Sequence, residues 1–142
     1  MSTYARFIVG LDLSKDCFDI LDKAQDLANT VRAEVIVCHV IEPIAYAYGG
    51  DIPINLAEAQ LTIEEYAEHR LNEILKKSAL SPHGKHIVIG DTAQELRKLA
   101  TENEADLIIV GSHGRHGLAL LLGSTASGVI HAAECDVLAI RV

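Results

Sequence analysis

Tryptophan is absent, and aromatic residues make up only 4% of the 142-residue chain. A platform for stacking a flavin ring therefore lacks support, and the core must be built from Val, Ile, Leu and Ala. Basic residues are also scarce: 12 Lys and Arg stand against 20 Asp and Glu, a net charge of −8. That balance argues against nucleic acid as a partner, because nothing supplies the basic stripe that phosphate neutralisation requires. No run approaches the roughly 18 apolar residues of a membrane span, so no membrane association is expected. Met1-Ser2-Thr3-Tyr4 lacks the charged-then-apolar start of a signal peptide. Cys17, Cys38 and Cys135 are odd in number, without metal-type spacing, and each sits in or beside an apolar segment. They read as buried free thiols in a reducing cytoplasm.

What is present is aliphatic and alternating. Short runs of strand length stand at Phe7–Leu11, Val35–Val40, Leu107–Val110 and Val137–Ile140, with a weaker one at His86–Ile89. Between them lie stretches of helical length. The first, from about Asp16 to Val31, puts Phe18, Leu21, Ala24, Ala28 and Val31 on one face, with Ser14 as its N-cap. The second, Leu56 to Ser78, carries Thr62-Ile63-Glu64-Glu65, either a capping box or an accident. The third opens on the capping box Thr92-Ala93-Gln94-Glu95 and packs Leu96 and Leu99; the fourth runs from Ser124 to Ala133. Strict β-α alternation predicts one α/β domain over residues 1–142: a five-stranded parallel sheet with helices on both faces, an open three-layer sandwich. Periodicity leaves two strand orders open, 2-1-3-4-5 and 3-2-1-4-5. The segment Ile41–Asn55, with Pro43, Pro53, Gly49, Gly50, Tyr46 and Tyr48, exceeds an ordinary α/β connection and reads as a flap or contact surface.

Ligands of open α/β sheets bind at the carboxyl ends of strands, where the strand order reverses. Two strand ends carry unusual residues: Gly10-Leu11-Asp12-Leu13-Ser14 and Val110-Gly111-Ser112-His113-Gly114-Arg115-His116-Gly117. Under the order 3-2-1-4-5 they form opposite lips of one crevice. Gly111, Gly114, Gly117 and Gly123 permit close backbone approach to phosphate, and Gly123-Ser124-Thr125 opens the last helix, whose N-terminus suits an anion. Arg115 adds the nearby full positive charge, while Asp12 can accept from ribose hydroxyls or help to hold a metal. No G-x-x-x-x-G-K-S/T sequence occurs, so this is not a P-loop. Taken alone, a glycine turn after a strand is common and Asp12 could simply cap a helix; paired at one switch point, the two reinforce each other.

The start Arg6–Ser14, the middle Cys38-His39-Val40-Ile41, the run Asp106–Arg115 and the tail from Gly123 to Ile140 resemble the universal stress protein family, over the whole chain. The resemblance implies the sheet order 3-2-1-4-5 and a homodimer paired through the C-terminal strands. It also implies an adenine nucleotide, with Val40 meeting the adenine edge by its backbone. Leu11, Asp12 and Leu13 would line the adenosine pocket beside Val110. Gly111, His113, Gly114 and Arg115 would follow the ribose and first phosphate, and Gly123, Ser124 and Thr125 the outer phosphates. Nucleotide-binding members carry Gly-x2-Gly-x9-Gly-Ser/Thr, whereas here eight residues separate Gly114 from Gly123. The shorter turn favours AMP or ADP over ATP, and Mg²⁺ would help neutralise a polyphosphate.

Other constellations carry less. His113, His116 and His131 lack a thiolate or carboxylate at zinc-type spacing, so no metal site is expected. His39 reads as a core or pocket-wall histidine, and Tyr46 and Tyr48 as packing or dimer contacts. Glu64, Glu65, Glu68 and Glu73 form a solvated face with Arg70, Lys76 and Lys77. No lysine sits in the phosphate turn, and no residue is an evident general base; Asp12, His39 and His113 are the candidates. The expectation is a nucleotide-binding stress-response regulator with at most slow ATP hydrolysis and no catalytic residues. The alternative is a nucleotide-free dimeric interaction module, which the shorter turn favours. A phospho-receiver domain is excluded, because Asp12 has no paired acid upstream and no lysine follows the last strand.

Overall fold

The structure, a computed structural model, describes residues 4–43, 56–112 and 134–142. Its elements in chain order are β1 (Arg6–Gly10), α1 (Cys17–Val31), β2 (Glu34–Ile41), α2 (Leu56–Lys77), β3 (Gly84–Ile89), α3 (Thr92–Glu102), β4 (Leu107–Gly111) and β5 (Asp136–Ile140). All pairings are parallel and the sheet order is β3-β2-β1-β4-β5. The aliphatic runs therefore sit as predicted, and of the two open orders the sheet takes 3-2-1-4-5. The predicted fourth helix, Ser124–Ala133, and most of the expected flap lie outside the described residues.

Unbroken aliphatic runs make strands here because both faces of the sheet are covered. Phe7, Val9, Val35, Val37, Leu107 and Ile109 point to one face, where they meet Ile20, Leu21 and Ala24 of α1 and Leu71 and Ile74 of α2. Ile8, Ile36, Cys38, Val40, Ile108 and Val110 point to the other, against Ala93, Leu96, Leu99 and Ala100 of α3. Phe7, Ile8, Val9 and Ile109 are fully buried, worth about 1.5–3 kcal/mol each in transfer free energy. Gly10 lets α3 approach the sheet: a Cβ there would stand 3.0 Å from Leu96 Cδ1.

Two helix boundaries correct the sequence reading, and a third observation resolves a pattern it left open. Ser14 is not the N-cap of α1; Asp16 takes that place, without a side-chain cap bond. Asp12 accepts the Ser14 N–H at 3.0 Å, which draws Ser14 back toward the sheet, and the Ser14 hydroxyl then accepts the Asp16 N–H at 3.2 Å. The capping box of α3 begins one residue earlier than expected. Asp91 is extended, accepts the Gln94 N–H at 3.0 Å, and leaves Thr92 as the first helical residue. In α2 the Thr62 pattern proves accidental, since Thr62 lies inside the helix and its hydroxyl donates to the Glu58 carbonyl at 3.0 Å. The weak third strand is longer than its aliphatic core because Gly84 and Lys85 pair with Ile36 and Val37.

Candidate functional site

The crevice forms where β1 and β4 lie side by side, with β2, which follows β1 in the chain, on one side and β5, which follows β4, on the other. Its walls include Leu11 and Asp12 after β1, Cys38 and Val40 of β2, Val110 and Gly111 of β4, and Thr92 and Leu96 of α3. Thus Leu11, Asp12, Val40, Val110 and Gly111, named from sequence, come together on one opening. Leu13 is in the same loop but does not line it; its side chain packs against the core on the α1 face. His113, Gly114, Arg115, Gly123, Ser124 and Thr125 lie outside the described residues, as do His116 and His131. Among the described residues no His, Cys, Asp and Glu cluster could hold a metal ion.

The ends of β1 and β2 are unequal, and this shapes the crevice. Their ladder closes at Gly10 opposite Cys38, with a last rung from the Leu11 N–H to the Cys38 carbonyl at 2.9 Å. β2 continues through His39, Val40 and Ile41, paired on its far side with β3. Backbone groups alternate sides along a strand. Ile41 turns its carbonyl toward β3, where it accepts the Gly90 N–H at 2.9 Å. Val40 therefore turns its N–H and C=O the same way as Cys38, toward the edge that β1 has left.

The loop leaving β1 is held from three directions. Asp12 Oδ1 accepts the Ser14 N–H and, at 3.6 Å, the Cys17 thiol; among the described residues no partner is seen for Oδ2. Asp12 thus closes an Asx turn ahead of α1 and does not cap the helix, whose N-cap is Asp16. Burial pushes the Asp12 carboxyl up, but the hydrogen bonds from the Ser14 hydroxyl and N–H and from the Cys17 thiol outweigh it, leaving the group below its ordinary range. Leu13 sits in the left-handed region at φ 65°, and Arg70 of α2 donates its Nε–H to the Leu13 carbonyl at 3.3 Å. His39, half-buried on β2, has Nδ1 2.7 Å from the Leu11 carbonyl.

Sequence reasoning missed Arg70, Thr92 and Cys38 as parts of this site. Arg70 was placed among solvated charges, and it does pair with Glu73 at 3.3 Å; its reach to Leu13 has no local signature. Thr92 is buried at 6% exposure at the start of α3, and the acid three residues before Gln94 could have located that helix start. Ser112, just past Gly111, has a buried hydroxyl with no hydrogen-bond partner among the described residues. Burial pushes the Cys17 and Cys38 thiols up to about 12, so neither offers a thiolate near neutrality.

The family model described as "Universal stress protein family" matches residues 3–141. Universal stress protein A homolog 1 of Coxiella burnetii is 39% identical over 139 residues, covering 96% of each chain. Among solved structures, a hypothetical protein studied for structure-based assignment of its biochemical function is 26% identical. It covers 98% of this chain and 96% of its own, with a TM-score of 0.72. A universal stress protein crystallised in complex with cAMP is 25% identical, covers 99% and 98%, and has a TM-score of 0.59. Among the described residues, no helix is long and apolar enough to cross a membrane.

Proposed function

The chain belongs to the universal stress protein family, and from that premise we propose that it binds an adenine nucleotide in the crevice between β1 and β4, acting as a cytoplasmic homodimeric regulator. The observation that carries this reading is the three-residue overhang of β2 beyond β1. It turns a peptide N–H and C=O of Val40 into an apolar-walled opening. That donor–acceptor pair complements the N1 and N6 edge of adenine. Asp12, at the neighbouring lip, accepts from ribose hydroxyls through Oδ2. The Ser112 hydroxyl, buried without a partner among the described residues, is a ready donor to the first phosphate. A similar protein was crystallised with cAMP, which favours the adenine class.

The phosphates fall to Gly111, His113, Gly114, Arg115, Gly123, Ser124 and Thr125, with Mg²⁺ assisting a polyphosphate. The spacing between Gly114 and Gly123 favours AMP or ADP over ATP. Dimerisation uses β5. This strand pairs with β4 on one side, and Leu138 is 38% exposed.

Titration calorimetry on nucleotide-stripped protein, with ATP, ADP and AMP in the presence of Mg²⁺, tests the binding. Saturable heat with at least one of them is expected. No heat at millimolar nucleotide overturns the reading and leaves a nucleotide-free dimeric module. Sedimentation of wild type and Leu138→Lys tests the dimer, with a shift toward monomer expected in the variant.

A further inference from the structure

The overhang of β2 poses a problem of its own. In a parallel ladder the rung after Leu11 N–H to Cys38 C=O would run from the Val40 N–H to the Leu11 carbonyl. Had it formed, the Val40 donor would be spent inside the sheet. Instead the Leu11 carbonyl receives the His39 ring at 2.7 Å, and among the described residues no backbone N–H is bonded to it. A carbonyl oxygen can only accept, so His39 Nδ1 carries the proton. Neighbouring residues of a strand send their side chains to opposite faces. His39 thus reaches over the α1 face of the sheet, while Val40 packs its side chain on the α3 face.

We propose that His39 is a positioning residue for base recognition: by donating Nδ1–H to the Leu11 carbonyl it ends the β1–β2 ladder one rung early and keeps the Val40 N–H for a nucleobase. The same bond fixes the Leu11 peptide, and so the point from which Asp12 leaves the sheet. The base-recognition half of this inference rests on the nucleotide reading above; the ladder-ending half does not. His39 touches no ligand in this scheme and moves no proton. A half-buried polar strap of this kind substitutes one hydrogen bond for another, so its effect on stability is small beside its effect on which donor stays open.

Amide hydrogen exchange on the unliganded protein, followed by NMR, is the primary test because it needs no nucleotide. In wild type the Val40 N–H should exchange at least about tenfold faster than that of Cys38, which is inside the ladder. In His39→Leu, Val40 should gain about tenfold protection as the missing rung forms. His39→Asn, whose Nδ2 overlays the donor position, should restore the wild-type pattern. Protection of Val40 equal to that of Cys38 in wild type overturns the proposal, whether or not His39→Leu folds. Unchanged Val40 exchange in a folded His39→Leu overturns it as well.

The second readout is the affinity ratio of AMP to IMP, since hypoxanthine reverses the donor and acceptor at N1 and position 6. His39→Leu should bring that ratio toward one, and His39→Asn should keep it. An equal loss of affinity for both ligands, with the ratio kept, marks a structural role and overturns the base-recognition half. Absence of binding by wild type to either ligand overturns the nucleotide reading, and with it that half, while the exchange data still decide the ladder.

Discussion

The Asp12 carboxylate accepts the Ser14 N–H at 3.0 Å, so the acid at the lip of the crevice also turns the chain from β1 toward α1. The two roles share one side chain. Oδ1 holds the loop, with the Cys17 thiol at 3.6 Å, and Oδ2 is the oxygen that the proposed function assigns to the ribose.

Asp12 should give the protein a measurable acid dependence. Its carboxyl lies below the ordinary value of 3.8 in the folded chain, so the native state binds fewer protons than the unfolded state around that pH. Its contribution is present above the unfolded value and is lost as pH falls through the folded one. Denaturant unfolding should show Asp12→Asn less stable than wild type near pH 7. The gap should narrow below about pH 3, and a constant gap would contradict the assignment.

Asp91, not Thr92, caps α3. Asp91→Ala should cost about 1 kcal/mol in urea unfolding, through loss of the bond from the Gln94 N–H. Asp91→Asn should recover most of it. Equal stability of Asp91→Ala and wild type would return the cap to Thr92.

Gly10 is held by the closeness of α3. Gly10→Ala places a methyl 3.0 Å from Leu96 Cδ1 and 3.4 Å from Val110 Cγ1, an overpacking worth about 1–3 kcal/mol. Combining it with Leu96→Ala should cost less than the sum of the two single changes, because both act on one contact. Additivity in thermal unfolding would refute the contact.

Arg32 ends α1 in the left-handed region, at φ 61° and ψ 45°, with its N–H on the Ala28 carbonyl. The side chain is exposed, so Arg32→Gly removes backbone strain without removing packing. A gain of about 0.5–1 kcal/mol is expected in denaturant unfolding. A loss of stability would mean the side chain is doing something its exposure does not suggest.

Thiol chemistry should separate the cysteines. Burial holds Cys17 and Cys38 at about 12; partial burial and the nearby Asp136, Asp106 and Glu134 push the Cys135 thiol up as well, but it is partly exposed. A thiol reagent at mildly alkaline pH should modify Cys135 first and reach the other two only after unfolding. Rapid native modification of Cys38 would show that the crevice opens to that depth.

The sequence by itself determined the layers. Runs such as Phe7–Leu11 and Leu107–Val110 must be covered on both sides, and the helices between them impose parallel strands, because these are local facts of hydrophobicity and period. It also singled out Asp12, Val40 and Gly111, through strand-end chemistry and family resemblance. Cap positions were misjudged by one or two residues. Ser14, Asp16, Asp91 and Thr92 are all acceptable caps in isolation, and an Asx turn or an extended φ chooses among them. Tertiary structure alone decided the rest. His39 meets Leu11 across 28 residues of chain and Arg70 meets Leu13 across 57, contacts that no local pattern encodes. The open edge of Val40 exists only because β2 outlasts β1 in the assembled sheet. Strand length is written in composition, but relative register appears only when two strands are laid side by side.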